Sequence, residues 1–152
     1  MDWLVEAIAA IALLATPILI FFVMDDLPDT IPLHFDTSGI ANGIHDKALL
    51  WILSSPALVF YILLTVLAIN PSWLKYPVEI TKENRLEQYA NAVSMLRKVK
   101  CMLEVLVFYL TLGTIRIALG VQTRLSSMLL PVAIGVTLAI VGLYFFKAYK
   151  LR

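Results

Sequence analysis

Four long apolar runs, over residues 3–24, 48–69, 101–120 and 128–146, limit what this chain can become. A helix rises about 1.5 Å per residue, so about 20 residues cross the roughly 30 Å hydrocarbon layer of a bilayer. None of the runs alternates apolar with polar residues as a barrel strand would, and a helix satisfies its own backbone in lipid without closing on itself. Of the 152 residues, 61% are hydrophobic and 15% are charged, whereas a soluble domain carries about a quarter charged residues. One small core could not hide that apolar surplus. The sequence therefore predicts a single all-α domain over 1–152, a four-helix transmembrane bundle. The first run is too long for the apolar core of a signal peptide and follows no basic leader, so it reads as a retained helix.

Orientation follows from the basic residues. The connection 71–100 holds Lys75, Lys82, Arg85, Arg97, Lys98 and Lys100, and the tail holds Lys147, Lys150 and Arg152. The first connection, 25–47, has only Lys47, and the third only Arg124. Basic residues concentrate on cytoplasmic loops. Both termini and the second connection are thus expected in the cytoplasm, and the first loop outside.

Local signals refine the helices. Pro17 predicts a kink in the first helix, and Ser54-Ser55-Pro56 pairs hydroxyls with carbonyls that the proline frees in the second. Trp73 and Tyr76 suit the inner headgroup level. Thr81 is a natural N-cap with Glu83 in the first turn. From there Leu86, Tyr89, Val93, Leu96, Val99 and Leu103 recur at helical spacing, one apolar face opposite a charged one. The third helix should accordingly extend into the cytoplasm as a rod, or bend at the interface and lie on it, with Lys98 and Lys100 on anionic headgroups. Gly135, Ala139 and Gly142 make a small-residue face on the fourth helix, suited to close helix approach and to a homo-oligomer. Gly113 and Gly120 share a face of the third, beside Arg116.

Ionisable residues near the apolar runs are costly and often functional. Glu6 and Glu104 read as membrane-edge carboxylates near Lys100, Lys147 or Lys150. Arg116 lies a turn from the outer end of its helix, with Asp25 and Asp26 as expected partners. The absence of acidic groups at mid-depth disfavours a proton or ion relay, which leaves a small transporter as the weakest reading. Cys101, the single cysteine, reads as an inert buried thiol and excludes an intrachain disulfide. His34, Asp36, His45 and Asp46 are weak candidates for a transition metal, set against turn and capping hydrogen bonds; no metal or other cofactor is expected. No nucleophile–base pair, phosphate cradle or HExxH pattern is present, so no enzyme is expected, and the basic residues are too few and too close to the membrane for a nucleic-acid surface.

The first loop is the most specific stretch. It carries five aspartates (Asp25, Asp26, Asp29, Asp36, Asp46) against Lys47. Pro28 and Pro32 restrict φ, Ile31, Leu33 and Phe35 alternate with polar neighbours as an extended segment would, and Gly39 and Gly43 can supply turns. An ordered lid with an acidic surface is expected, attractive to a cationic peptide. Leu27-Pro28, Ile31-Pro32, His34-Phe35, Gly39, Gly43 and Lys47 stand in register with a pattern of roughly LPxxIPxHFxxxGxxDGxxxK, and Tyr76-Pro77-Val78 through Ile80-Thr81 to Asn84 with YPVxIT..N. In this the chain resembles the bacterial membrane domain of unknown function at the N-terminus of SdpI-type proteins, which confer immunity to the sporulation-delaying toxin. Asn42 stands where that pattern has an acidic residue, Ala41 where it has a proline, and the further C-terminal helices of full SdpI-type proteins are not expected. The resemblance implies a multi-pass protein of the bacterial cytoplasmic membrane that serves toxin immunity or envelope sensing through its outer loop. The competing reading is a structural or accessory subunit of a larger membrane complex.

Overall fold

The computed structural model describes residues 2–152. The chain is mostly helical: α1 (Asp2–Val23), α2 (Leu50–Ile69), α3 (Arg85–Ala118) and α4 (Leu129–Lys150) are each long and apolar enough to cross a membrane. Most of their large apolar side chains face outward, among them Phe21, Phe22, Ile62, Leu138 and Phe146. A bilayer is the solvent such faces need.

The 25–47 segment departs from an all-α fold. It forms an antiparallel hairpin, β1 (Thr30–Phe35) and β2 (Ala41–Asp46), with Ile31 opposite His45, His34 opposite Gly43 and Phe35 opposite Ala41. The alternation at Ile31, Leu33 and Phe35 is that of a strand. A single turn of 3-10 helix, Lys47–Leu49, leads from β2 into α2, capped by Asp46, whose carboxylate accepts the Ala48 N–H at 2.8 Å.

α3 is the element on which α1, α2, α4 and β1 all pack, while α4 leans chiefly on α3 alone. The bundle is therefore three helices with a fourth attached. Thirty-four residues give α3 a length of about 50 Å, and it runs as one continuous rod, without a break at residue 101. Its start is reciprocal: the Thr81 hydroxyl accepts the Asn84 N–H at 3.2 Å while Asn84 Oδ1 accepts the Thr81 N–H at 2.9 Å. Its end is a Schellman motif, with Gly120 at φ +72°, its N–H on the Ile117 carbonyl at 3.0 Å, and the Val121 N–H on that of Arg116 at 2.9 Å. Gly120 thus terminates α3 and does not share a helical face with Gly113. In α2, Ser55 Oγ donates to the Ile52 carbonyl at 3.0 Å, the group that Pro56 leaves without its usual N–H.

The apolar core is small and sits beneath the hairpin, where Ile20 of α1, Leu27, Ile31 of β1, Leu50 of α2 and Ile115 of α3 meet. Further along α3 the buried residues are mostly polar. Gln88, Asn91, Lys100, Glu104, Thr111 and Thr114 are buried, whereas Leu86 of the expected apolar stripe is 75% exposed and only Leu96 of that stripe is fully buried. Within the apolar run lipid is as apolar as leucine, so an apolar face gains little by turning inward, and Glu104, Thr111 and Thr114 take the interior instead. Gln88 Nε2 donates to the Ala148 carbonyl at 2.9 Å and Asn91 Nδ2 to that of Tyr144 at 3.0 Å, fastening α4 near its end.

Candidate functional site

The conspicuous residues of the first loop divide into those that build the hairpin and those that it presents. Leu27 and Ile31 are core residues. Lys47 Nζ donates to the Leu27 carbonyl at 3.0 Å and lies 3.6 Å from the exposed Asp29 carboxylate, while the Lys47 N–H bonds the Asp29 carbonyl, so one lysine closes the base of the hairpin twice. At the tip, Asp36 Oδ1 accepts from Ser38 N (2.9 Å), Ser38 Oγ (2.7 Å) and Ile40 N (2.9 Å). The Ser38 hydroxyl above all, then the Ile40 N–H, holds the Asp36 carboxyl below the usual carboxylate range.

Two glycines do separate work. Gly39 has φ +80°, and an added Cβ would stand 2.1 Å from the Leu125 carbonyl oxygen, because the Leu125 N–H bonds the Gly39 carbonyl at 2.9 Å. Leu125 is a wedge: buried itself, it also fills the space that a side chain at Gly113 would need. Gly43, by contrast, lies in extended backbone and supplies no positive-φ turn. It leaves room for the His34 and His45 rings, whose centroids lie 4.9 Å apart edge to face; a Cβ there would come within 3.2–3.3 Å of both side chains.

What the hairpin presents is an acidic exterior and two clefts. Asp25, Asp26, Asp29, Asp36, Asn42 and Asp46 are exposed, as are Pro28 and Ile44. His34, Phe35 and Asp36 border a cleft of about 470 Å³ that continues along Leu125, Leu130 and Ile134 at the start of α4. Pro32, in β1 opposite Ile44, borders the second cleft, of about 430 Å³, with Thr30 and Asn42. Among the described residues no three metal-ligating side chains converge; Asp36 and Asp46 are engaged as a turn former and a cap.

The charged residues of the apolar runs fall differently from expectation. Arg116 is exposed, and among the described residues no ion pair joins it to Asp25 or Asp26; its carbonyl takes part in the α3 terminus instead. Lys100 does not reach headgroups. It is 1% exposed, with Nζ 2.7 Å from Glu6 Oε2, 2.8 Å from Thr65 Oγ1 and 4.3 Å from the centroid of the Tyr61 ring. Arg97 Nε lies 3.3 Å from the other Glu6 oxygen. Glu6 does pair with Lys100 as expected, but Glu104 is not an edge carboxylate: it is 1% exposed, inside the bundle. Heptad-like spacing of polar residues along α3, read as an inward rather than an outward face, was the signal for this cluster.

Residues of the second motif make a fold. Tyr76 donates to the Pro71 carbonyl at 2.8 Å and stacks on Tyr89 at 5.5 Å; burial first, then Tyr144 and Tyr89, pushes its phenol up to about 12. Asn84 Nδ2 reaches the Glu79 carbonyl at 3.1 Å.

No curated protein and no solved structure matches the chain. Residues 10–60, from within α1 through the hairpin to the first half of α2, match a family described as a domain of unknown function (DUF1648).

Proposed function

We propose that this chain is a non-enzymatic, SdpI-like protein of the bacterial cytoplasmic membrane, with both termini in the cytoplasm, whose hairpin recognises a ligand at the outer surface. The role is toxin immunity or envelope sensing, and the ligand class is a cationic peptide. The observation that carries this reading is the division of labour in the hairpin. Leu27, Ile31, Gly39, Gly43 and Lys47 fix the backbone, and four aspartates, Asp25, Asp26, Asp29 and Asp46, stay exposed, of which Asp29 also faces Lys47 and Asp46 also caps the turn into α2. An acidic surface that needs no reordering attracts a cationic partner at low entropic cost. Its sidedness is supported by the basic residues of 71–100 and of the tail, all at the end away from the hairpin.

The test is a challenge of cells carrying the chain with a cationic, bilayer-disrupting peptide. Replacing Asp25, Asp26, Asp29 and Asp46 together by asparagine is expected to abolish protection while the protein remains in the membrane. Full protection by that variant would sink the reading, as would labelling of a cysteine placed at Thr37 only from the cytosolic side. A second reading, an accessory subunit or homo-oligomer, draws on α4, where Gly135 and Gly142 have open space before them. A stoichiometric partner retained in mild detergent would favour it.

A further inference from the structure

The bundle interior carries a polar row that the hairpin does not use. Lys100, Glu104, Thr111 and Thr114 follow one another on α3 at intervals of four, seven and three residues, which is one helical face, and each is 1% exposed or less. Lys100 is satisfied by Glu6 of α1 and Thr65 of α2. Glu104, one turn further in, is not: among the described residues neither of its carboxyl oxygens has a hydrogen-bond partner, and neither do the hydroxyls of Thr111 and Thr114. Towards the hairpin the row ends at the apolar group of Ile20, Leu27, Ile31, Leu50 and Ile115. At the other end the side chains of Glu6 and Arg97 are 29% and 37% exposed. Solvent is therefore reached from the Glu6 end and excluded from the hairpin end.

A carboxylate ion buried without a hydrogen-bond donor is costly by several kcal/mol, whereas a neutral carboxyl is far less so. We propose that Glu104 is a proton-binding site in the bundle interior, loaded in this packing, which exchanges its proton with the Glu6 end as Lys100 moves between the two carboxylates. The Lys100 ammonium gives a proton to Glu6 Oε2 across their 2.7 Å contact, and its amine turns to Glu104 and takes the proton as that O–H bond breaks, which leaves an ammonium–carboxylate pair at Glu104 and a neutral carboxyl at Glu6. Lys100 faces one carboxylate and one carboxyl is neutral before and after, so the net charge of the group does not change. Once the proton leaves Glu6 for water, Arg97, 3.3 Å from the other Glu6 oxygen, pairs with the anion again.

Among the described residues, the other titratable groups within electrostatic reach of both carboxylates are Tyr61 of α2 and Cys101 of α3. α4 brings its lysines, Lys147 and Lys150, only in its last turn. Because Lys100 also ties α1 and α2 to α3, the exchange couples protonation to helix packing. The inference does not depend on what the hairpin recognises.

Infrared spectroscopy of the purified chain in phosphatidylcholine nanodiscs, with carbon-13 in its glutamates, tests it. The wild type is expected to show at neutral pH a labelled carboxylic C=O band that shifts slowly in heavy water. Glu104→Gln should remove it, and Glu104→Asp, which keeps an acid but not the label, should remove it too. Glu6→Gln frees Lys100, so Glu104 should ionise against it and the band should vanish. A wild type without a labelled band, or a band that survives in either folded Glu104 variant, overturns the site. An unchanged band in folded Glu6→Gln overturns the exchange.

Discussion

Asp36 at the hairpin tip accepts three hydrogen bonds from residues within four positions of itself, while Glu104 in the bundle accepts none among the described residues. Both are carboxyls on short paths of the same chain, yet one is exposed and fully satisfied and the other buried and orphaned. The hairpin obtains its shape from local bonds that water could replace at small cost. In the bundle no such replacement exists, so a single ammonium must serve where several donors are wanted, and the choice of partner becomes a variable. Local satisfaction makes a rigid platform; scarcity of partners makes a site that can change state.

That contrast can be broken from either side. The largest effect is expected from Lys100→Met, which takes the ammonium from Glu6 and Thr65 and should lower stability by about 3 kcal/mol. Thermal unfolding in nanodiscs reads the loss, while protease resistance at 36–40 should stay as it was. Gly39→Ala should do the reverse. A Cβ 2.1 Å from the Leu125 carbonyl oxygen, added to a φ of +80°, is expected to cost about 2 kcal/mol and to expose the hairpin tip to proteolysis, with Lys100 undisturbed. Thr111→Val removes a buried hydroxyl that has no partner and should stabilise the bundle by about 1 kcal/mol; a destabilisation would show that the hydroxyl is bonded. The smallest effect concerns acid. The Asp36 carboxyl is lowered in the fold, so its contribution is present above the ordinary carboxylate value and is lost as pH falls through the lowered one. Amide exchange at Ser38 and Ile40 should accelerate over that acid window, and Asp36→Asn should abolish the dependence.

Much of this architecture was legible in residue order. Long apolar runs specify the four helices because a bilayer tolerates little else, while the absence of a breaker near Cys101 allowed a continuous α3 without excluding a bend at the interface. Ser55 before Pro56 and Thr81 before Asn84 are local devices, complete within a few residues, and so can be read without the fold. The buried face of α3 could not be taken from apolar spacing. The stripe from Leu86 to Leu103 follows the rule for water, where apolar faces turn inward; here the seam through Gln88, Asn91, Lys100 and Glu104 turns inward, and Leu86 is exposed. Arg116 was misassigned because proximity along the membrane normal says nothing about position around a helix. The pairing of Gly39 with Leu125 joins residues 86 positions apart and has no local trace in either segment.

Gln88 and Asn91 hold α4 by main-chain carbonyls, of Ala148 and Tyr144, which every helix possesses. Such a grip is indifferent to the identity of most side chains it holds. Mutational drift along the lipid-facing positions of α4 can therefore proceed without unseating it, and variation among descendants of this chain should gather on that helix while the α3 amides stay constant.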